Sequence, residues 1–179
     1  MPLSIIGHAI VSVDGRIADA SGAMPDALRN EADWRRFQRR LDEAALVVVG
    51  RLGHRRHPNP GRRRLVATRS VAALSPDPRD ARASLWNPAG LPFDAALASL
   101  GVAEGTVAVA GVFDLFLDRF TAFDLAENHA FVMGPGLPCF SGGHPREVLA
   151  GAGLWPAGWA ILDPKGPVSL TEWRRAGGP

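Results

Sequence analysis

Residues 34–51 read WRRFQRRLDEAALVVVGR and join an amphipathic helix to a buried strand. Apolar residues recur there at spacings of three and four, which places them on one stripe of a helix: Trp34, Phe37, Leu41, Ala44 and Ala45. Residues 46–49 follow without polar alternation, as expected of a strand covered on both faces, and Gly50 ends the strand. A helix that leads directly into such a strand is typical of a parallel α/β sheet.

Short apolar runs on both sides of this segment predict further strands. The first run, residues 3–13, is rich in β-branched side chains and ends at Asp14 and Gly15, which form a turn signal. The other strands are predicted at residues 46–49, 65–68, 84–86, 106–110, 123–126, 159–162 and 168–173.

Helices are predicted between these strands. The first helix is expected to begin at Pro25 or Asp26, and helical spacing recurs at residues 93–100 and 113–120. Alternating strands and helices predict an α/β fold with a mostly parallel central sheet, helices on both faces and an antiparallel C-terminal edge. The length of 179 residues predicts a single domain, residues 1–179.

Composition restricts the class of protein. Cys139 is the single cysteine, which excludes an intramolecular disulfide and a cysteine-based zinc site and favours the cytoplasm. Residues 3–13 are too short to cross a membrane and lack the basic flank of a signal peptide. We therefore expect no membrane partner, and a homodimer is left open.

A basic segment is the strongest feature of the charge distribution. Seven of the 20 Lys and Arg residues fall within residues 51–69, and no Asp or Glu lies between Glu43 and Asp77. Such a cluster suits phosphates or carboxylates. Nucleic acid is not expected as a partner because no aromatic residues alternate with these arginines to stack on bases. His54 and His57 have no acidic or cysteine neighbour in sequence, so no metal site is predicted.

Four segments in a fixed order resemble the dihydrofolate reductase family and its relative, the reductase domain of the bifunctional riboflavin-biosynthesis enzyme. They are residues 12–18, SVDGRIA; residues 23–25 with 28–31, AMP and LRNE; residues 48–51 with 60–62, VVGR and PGR; and residues 109–111, VAG. The resemblance implies a dihydrofolate reductase-like fold, NADPH as cofactor and a heterocyclic small-molecule substrate. That substrate is either pterin-like or dihydrofolate-like, or a ribityl-pyrimidine.

The resemblance also implies residues that bind substrate. Glu31 matches the acidic residue that supports protonation of the heterocycle. At about 100° per residue, Glu31 and Asp33 lie on opposite sides of the apolar stripe and equally near to it. Helical periodicity therefore does not show which of the two is the site carboxylate. Arg62 matches an arginine that grips a substrate carboxylate. His8 interrupts the first strand where riboflavin-type reductases place a basic residue towards the substrate, although a core histidine is the commoner arrangement.

Cofactor-binding residues follow from the same resemblance. Arg51, Thr68 and Arg69 come at the ends of predicted strands, where the family holds the 2′-phosphate and adenosine of NADPH. Gly111 is expected to begin a helix whose N-terminus faces the pyrophosphate.

Two positions depart from the family pattern. The family has two consecutive glycines where this chain has Gly111 and Val112, and Gly53 replaces a common threonine. Replacing Val112 by glycine is expected to tighten NADPH binding and, through added backbone freedom, to lower stability. The same departures motivate an alternative function: a non-catalytic binding or assembly module that has lost cofactor affinity.

Overall fold

The computed structural model describes residues 2–57 and 59–177, which form strands and helices in alternation. The strands are β1 (Leu3–Ser12), β2 (Arg16–Asp19), β3 (Leu46–Gly50), β4 (Arg64–Ala67), β5 (Leu74–Asp77), β6 (Asp80–Trp86), β7 (Gly105–Val109), β8 (Ala122–Asn128), β9 (Gly136–Pro138), β10 (Leu154–Asp163) and β11 (Val168–Arg175). The helices are α1 (Glu31–Glu43), α2 (Arg51–Arg56), α3 (Phe93–Ser99) and α4 (Pro145–Gly151). Among the described residues, no helix is both long enough and apolar enough to cross a membrane.

Nine strands form one sheet in the order β10-β11-β8-β1-β7-β3-β4-β6-β5. The six strands from β8 to β6 in this order are parallel to one another. Antiparallel strands flank them: β11 and β10 at the C-terminal edge, and β5 at the other edge. This arrangement confirms the predicted fold class. Because parallel strands share one direction, β1, β3, β4, β7 and β8 all end at the same edge, called here the carboxyl edge.

Helices cover both faces of the sheet. Leu41 of α1 packs on Val47 and Val49 of β3, on the face called here the α1 face. On the opposite face, a larger core packs α3, α4 and the segment after β7 against the sheet. Residues of β3 alternate between the two faces, so Val48 belongs to this larger core. The alternation in burial explains why β3 has no polar residue: each of its faces lies under a helix.

The first helix begins later than predicted. Pro25 and Asp26 belong to a turn, and α1 starts at Glu31 after the N-cap Asn30, whose side-chain oxygen accepts hydrogen bonds from two backbone N–H groups of the first turn. An Asn cap satisfies donors that have no partner within the helix, so the helix begins there. Leu28, fully buried, holds the preceding turn against the sheet.

Several short elements were not predicted. Residues 113–120 contain only one turn of 3₁₀ helix, Phe113–Phe116, so the predicted helix there was too long. Sequence patterns also missed α2, α4, β5 and β9. These elements have three to seven residues, which is too short for a periodic pattern to be recognised.

Candidate active site

Asp124, on β8, is the centre of a buried charged cluster on the α1 face. It is 3% exposed and accepts a hydrogen bond from the guanidinium of Arg36 on α1. A second hydrogen bond of 3.2 Å comes from Nη1 of Arg174 on β11. Burial favours protonation of Asp124, but the nearby arginines outweigh burial and hold the pKa of this carboxyl below its usual value. Asp124 is therefore a fixed negative charge that positions Arg36.

Asp33 is the second carboxyl group of the cluster and lies one turn before Arg36 on α1. It is 9% exposed, and its side chain forms no hydrogen bond within the described residues. Burial raises the pKa of Asp33 to about 6, an effect that Asp124 strengthens and Arg36 opposes. A carboxyl group with this pKa exchanges a proton near neutral pH, as a general acid requires.

Glu31 lies at the first position of α1 and points into solvent. Its carboxylate forms an ion pair of 2.7 Å with Nε of Arg35, and both side chains are more than two-thirds exposed. The two acidic residues that helical periodicity could not separate thus have opposite environments. Asp33 is buried near Arg36 and near Asp124 of β8, whereas Glu31 is exposed to solvent.

His8, on β1, lies between Asp124 and the ring of Phe37. Its Nδ1 is 3.4 Å from Oδ2 of Asp124, and its ring centre is 6.2 Å from that of Phe37. Burial lowers the pKa of His8 to about 4, so the ring is neutral at neutral pH. Nδ1 has no hydrogen-bond partner among the described residues. His8, which was predicted to bind substrate, therefore lies in the same buried cluster as Asp124.

Arg62 lies apart from this cluster, before the amino end of β4. Its guanidinium donates to the carboxylate of Asp42, with Nη2 and Oδ1 2.7 Å apart, and to the carbonyl oxygen of Gln38, both on α1. These acceptors belong to the chain itself. A substrate carboxylate would have to compete with Asp42, and the substrate-binding role of Arg62 stays a prediction.

The predicted phosphate-binding residues come together at the carboxyl edge. Arg51 follows β3, and Thr68 and Arg69 follow β4, the neighbouring parallel strand. Both arginine side chains are exposed, and neither forms a hydrogen bond or ion pair with the described residues. The Thr68 hydroxyl instead accepts a hydrogen bond of 3.2 Å from the backbone of Ser70, which shapes the turn.

The turn after β7 lies beside the end of β3. Gly111 has φ +154, and Val112 has φ 50 and ψ 37, the left-handed region that β-branched residues avoid. The Val112 side chain packs against Gly50, where a Cβ atom would come within 3.1 Å of Cγ1. The expected helix N-terminus is absent because only one 3₁₀ turn follows. Any ligand at this turn would meet backbone and the Val112 side chain.

The left-handed backbone at Val112 predicts that glycine is more stable than alanine at this position. Left-handed backbone costs an L-residue roughly 1–2 kcal/mol, which glycine does not lose. We expect the free energy of unfolding to be about 1 kcal/mol higher for Val112→Gly than for Val112→Ala. Both variants lose the packing of the valine methyl groups, but only alanine keeps the strain of the left-handed backbone. Urea unfolding of the two variants measures this difference. Equal stability would contradict the strain.

The carboxyl edge is covered by an arm, residues 13–24, that crosses from β1 to α2. Its strand β2 pairs with β9, and the Asp14 carboxylate accepts hydrogen bonds from the backbone of Met133 and Gly134. At its far end, Nη2 of Arg56 donates to the carbonyl oxygen of Ser21 over 3.1 Å. β7 lies between β1 and β3 in the sheet, so the arm spans this part of the carboxyl edge.

Three residues of the cluster were not predicted from the sequence: Asp124, Arg36 and Arg174. The signal for Asp124 was present: it is an acidic residue inside a predicted strand of apolar residues, and such residues are rarely buried without partners. The two arginines gave no such signal, because they lie among other charged residues on α1 and β11.

Comparison with known proteins supports the fold. No protein-family model matches the sequence, and no curated protein sequence matches it. Among solved structures, the chain is similar to a diaminohydroxyphosphoribosylaminopyrimidine deaminase/5-amino-6-(5-phosphoribosylamino)uracil reductase from Thermotoga maritima, with a TM-score of 0.67 and 16% identity. The match covers 98% of this chain and 57% of that protein, so the chain spans little more than half of its length.

Two further structures match along nearly their whole length. A protein from Shewanella sp. PV-4, provisionally named a riboflavin biosynthesis protein, has a TM-score of 0.65 and 19% identity over 96% of this chain and 98% of that one. Dihydrofolate reductase from Enterococcus faecalis, crystallised with NADP(H) and the compound RAB-propyl, has a TM-score of 0.69 and 15% identity over 97% and 96%. The chain therefore has a dihydrofolate reductase-like fold.

Proposed function

We propose that this protein is an NADPH-dependent reductase that acts by hydride transfer on a pterin-like or dihydrofolate-like substrate, or on a ribityl-pyrimidine. The observation that carries the proposal is Asp33: a buried carboxyl group with a pKa of about 6, enclosed by charged partners on the α1 face. Reduction of a C=N bond in a heterocycle needs a proton as well as a hydride, and Asp33 is suited to supply the proton.

The surrounding residues have separate tasks in this proposal. Asp33 holds the proton, and Arg36, fixed by Asp124, limits the rise of the Asp33 pKa so that the group still ionises near neutral pH. His8 is neutral, and its buried Nδ1 faces Oδ2 of Asp124 at 3.4 Å, so its substrate-binding role stays a prediction.

The carboxyl edge fits the anionic end of a nicotinamide cofactor. Arg51 and Arg69 offer two guanidinium groups without partners among the described residues, near the point where the ends of β3 and β7 meet. When bound, the reduced nicotinamide supplies the hydride. Val112 is the one side chain at this turn that opposes close approach.

A spectrophotometric assay tests the proposal. Purified protein is given NADPH with dihydrofolate, or with a 5-amino-6-ribosylaminouracil phosphate, and loss of reduced nicotinamide is followed. Turnover of either substrate supports the reductase and identifies the substrate class. Tight NADPH binding without turnover of either compound would reject both substrate classes.

Cofactor selectivity gives a sharper prediction. Each charge-assisted hydrogen bond to the 2′-phosphate contributes roughly 1.5–3 kcal/mol, so NADPH should bind at least about tenfold more tightly than NADH. Arg51→Ala and Arg69→Ala should each reduce this preference, while Arg39→Ala, which removes another exposed and unpaired arginine on α1, should not. Fluorescence titration with both cofactors measures the ratio. Equal affinity of the wild type for the two cofactors would refute the assignment.

The second candidate function is a non-catalytic binding or assembly module of the same fold. It is favoured by Val112, whose side chain covers Gly50 at the turn where the family has a glycine pair. NADPH binding by Val112→Gly but not by the wild type would support this module. Tight binding by the wild type would reject it.

A further inference from the structure

The strand β10 forms one edge of the nine-stranded sheet. It has ten residues and pairs with β11 on one side, and no strand of the described residues pairs with its other side. The opposite edge of the sheet is formed by β5, which has only four residues and contains Pro76 and Asp77. A long open edge exposes backbone N–H and C=O groups that can pair with a strand of another chain.

The composition of β10 does not protect this edge. Proteins commonly place charged side chains on an open edge, where the charges discourage pairing with other chains. Residues 154–162 contain no Lys, Arg, Asp or Glu, and the first charged residue is Asp163 at the end of the strand. Pro156, the one proline of β10, lies near the amino end. The register with β11 is regular at residues 158–161, so an uncharged, regular segment is available for pairing.

Large apolar side chains project from β10 on both faces of the sheet. Three of them are between 51% and 64% exposed: Trp155, Trp159 and Ile161. A bulge near the amino end shifts the register, so Trp155 lies opposite Arg174 of β11, whereas Trp159 lies opposite Thr171. Arg174 and Thr171 are three residues apart in one strand and therefore face opposite ways. A strand added at this edge would be flanked by apolar side chains on each face.

A second copy of the same strand is the partner that this edge fits. In a pair related by a twofold axis, β10 meets β10 in antiparallel orientation, and the same surface contacts itself. A charged segment would then oppose like charges, which is destabilising, and residues 154–162 carry no charge. The antiparallel orientation also brings the amino end of one strand, next to Arg174, towards Asp163 of the other.

We propose that β10 is the contact surface for a second copy of this chain, so that two nine-stranded sheets join into one continuous sheet across a twofold axis. Trp159, near the middle of β10, lies close to the axis and packs against its own copy. A single strand edge is small compared with the roughly 800 Å² that each partner contributes to a standard interface, so we expect the association to be reversible. The inference does not depend on reductase activity.

Sedimentation velocity of the wild type at about 1–100 µM tests the proposal, a range that suits a dimer of about micromolar affinity. We expect dimer formation to rise with concentration. Trp159→Glu should raise the dissociation constant at least about tenfold, because it replaces a large contact side chain by a charge. Trp34→Glu is the matched control: Trp34 is 49% exposed on α1, and its substitution should leave association unchanged. A wild type that is monomeric throughout would overturn the proposal, as would equal weakening by both variants.

A mixing experiment separates the loss of contact from a loss of folding. Trp159→Glu and Trp159→Lys should each be largely monomeric alone, because like charges meet at the axis, and should associate when mixed, because opposite charges then meet. Both substitutions are at an exposed position, and circular dichroism should show the same fold as the wild type. If the mixture associates no more tightly than either variant alone, Trp159 does not lie at the axis and the pairing of β10 with itself is rejected.

Discussion

Asp33→Asn is expected to lower reductase turnover at neutral pH by about a hundredfold or more, the contribution typical of a general acid. The amide keeps the shape of the side chain but has no proton to donate. Because ionisation of Asp33 removes the donor, wild-type turnover should fall as pH rises through about 6, and the variant should lack this dependence. Steady-state kinetics of both proteins across this pH range provide the measurement.

Glu31→Gln is the matched control for Asp33→Asn. It makes the same carboxylate-to-amide change two residues away, at an exposed ion pair with Arg35, and we expect turnover to change by less than about twofold. The opposite result, with activity lost in Glu31→Gln and kept in Asp33→Asn, would return the catalytic role to the residue that resemblance alone favours.

Much of the fold could be predicted from sequence because buried strands have a distinct composition. The uniformly apolar β3 and the stripe from Phe37 to Leu41 were sufficient to predict a parallel sheet under a helix. Short elements could not be predicted in this way. Four-residue β5 contains Pro76, and α2 carries arginines and Gly53 rather than an apolar stripe, so tertiary contacts rather than local pattern determine both.

The site was less predictable because its chemistry depends on burial. Glu31 and Asp33 are equivalent on a helical projection, and only tertiary packing makes Asp33 the buried one. Asp124, which acts on Asp33 and binds Arg36, lies far away in sequence, and a single sequence does not reveal such pairs. The left-handed backbone of Val112 was equally hidden, since a β-branched residue is the least expected in that region.

Asp33 should also make the stability of the protein depend on pH. Its folded-state pKa of about 6 exceeds the ordinary value of 3.8, so the folded protein binds this proton more tightly than the unfolded chain does. The contribution of Asp33 to stability is therefore complete below the unfolded value and is lost as pH rises through about 6. A shift of about two pH units corresponds to about 3 kcal/mol.

The wild type and Asp33→Asn should therefore diverge as pH rises, since asparagine has no ionisation to oppose folding. We expect the variant to be more stable at about pH 8 by up to about 3 kcal/mol, and the two proteins to be closest at about pH 4. His8 has the opposite effect: its pKa is lowered from 6.5 to about 4, so stability falls as pH drops through that range. Both proteins contain His8, and its contribution cancels when their unfolding free energies, measured in urea, are subtracted. Parallel stability curves for the two proteins would mean that Asp33 titrates normally in the folded state, and the case for Asp33 as a proton donor near neutral pH would then fail.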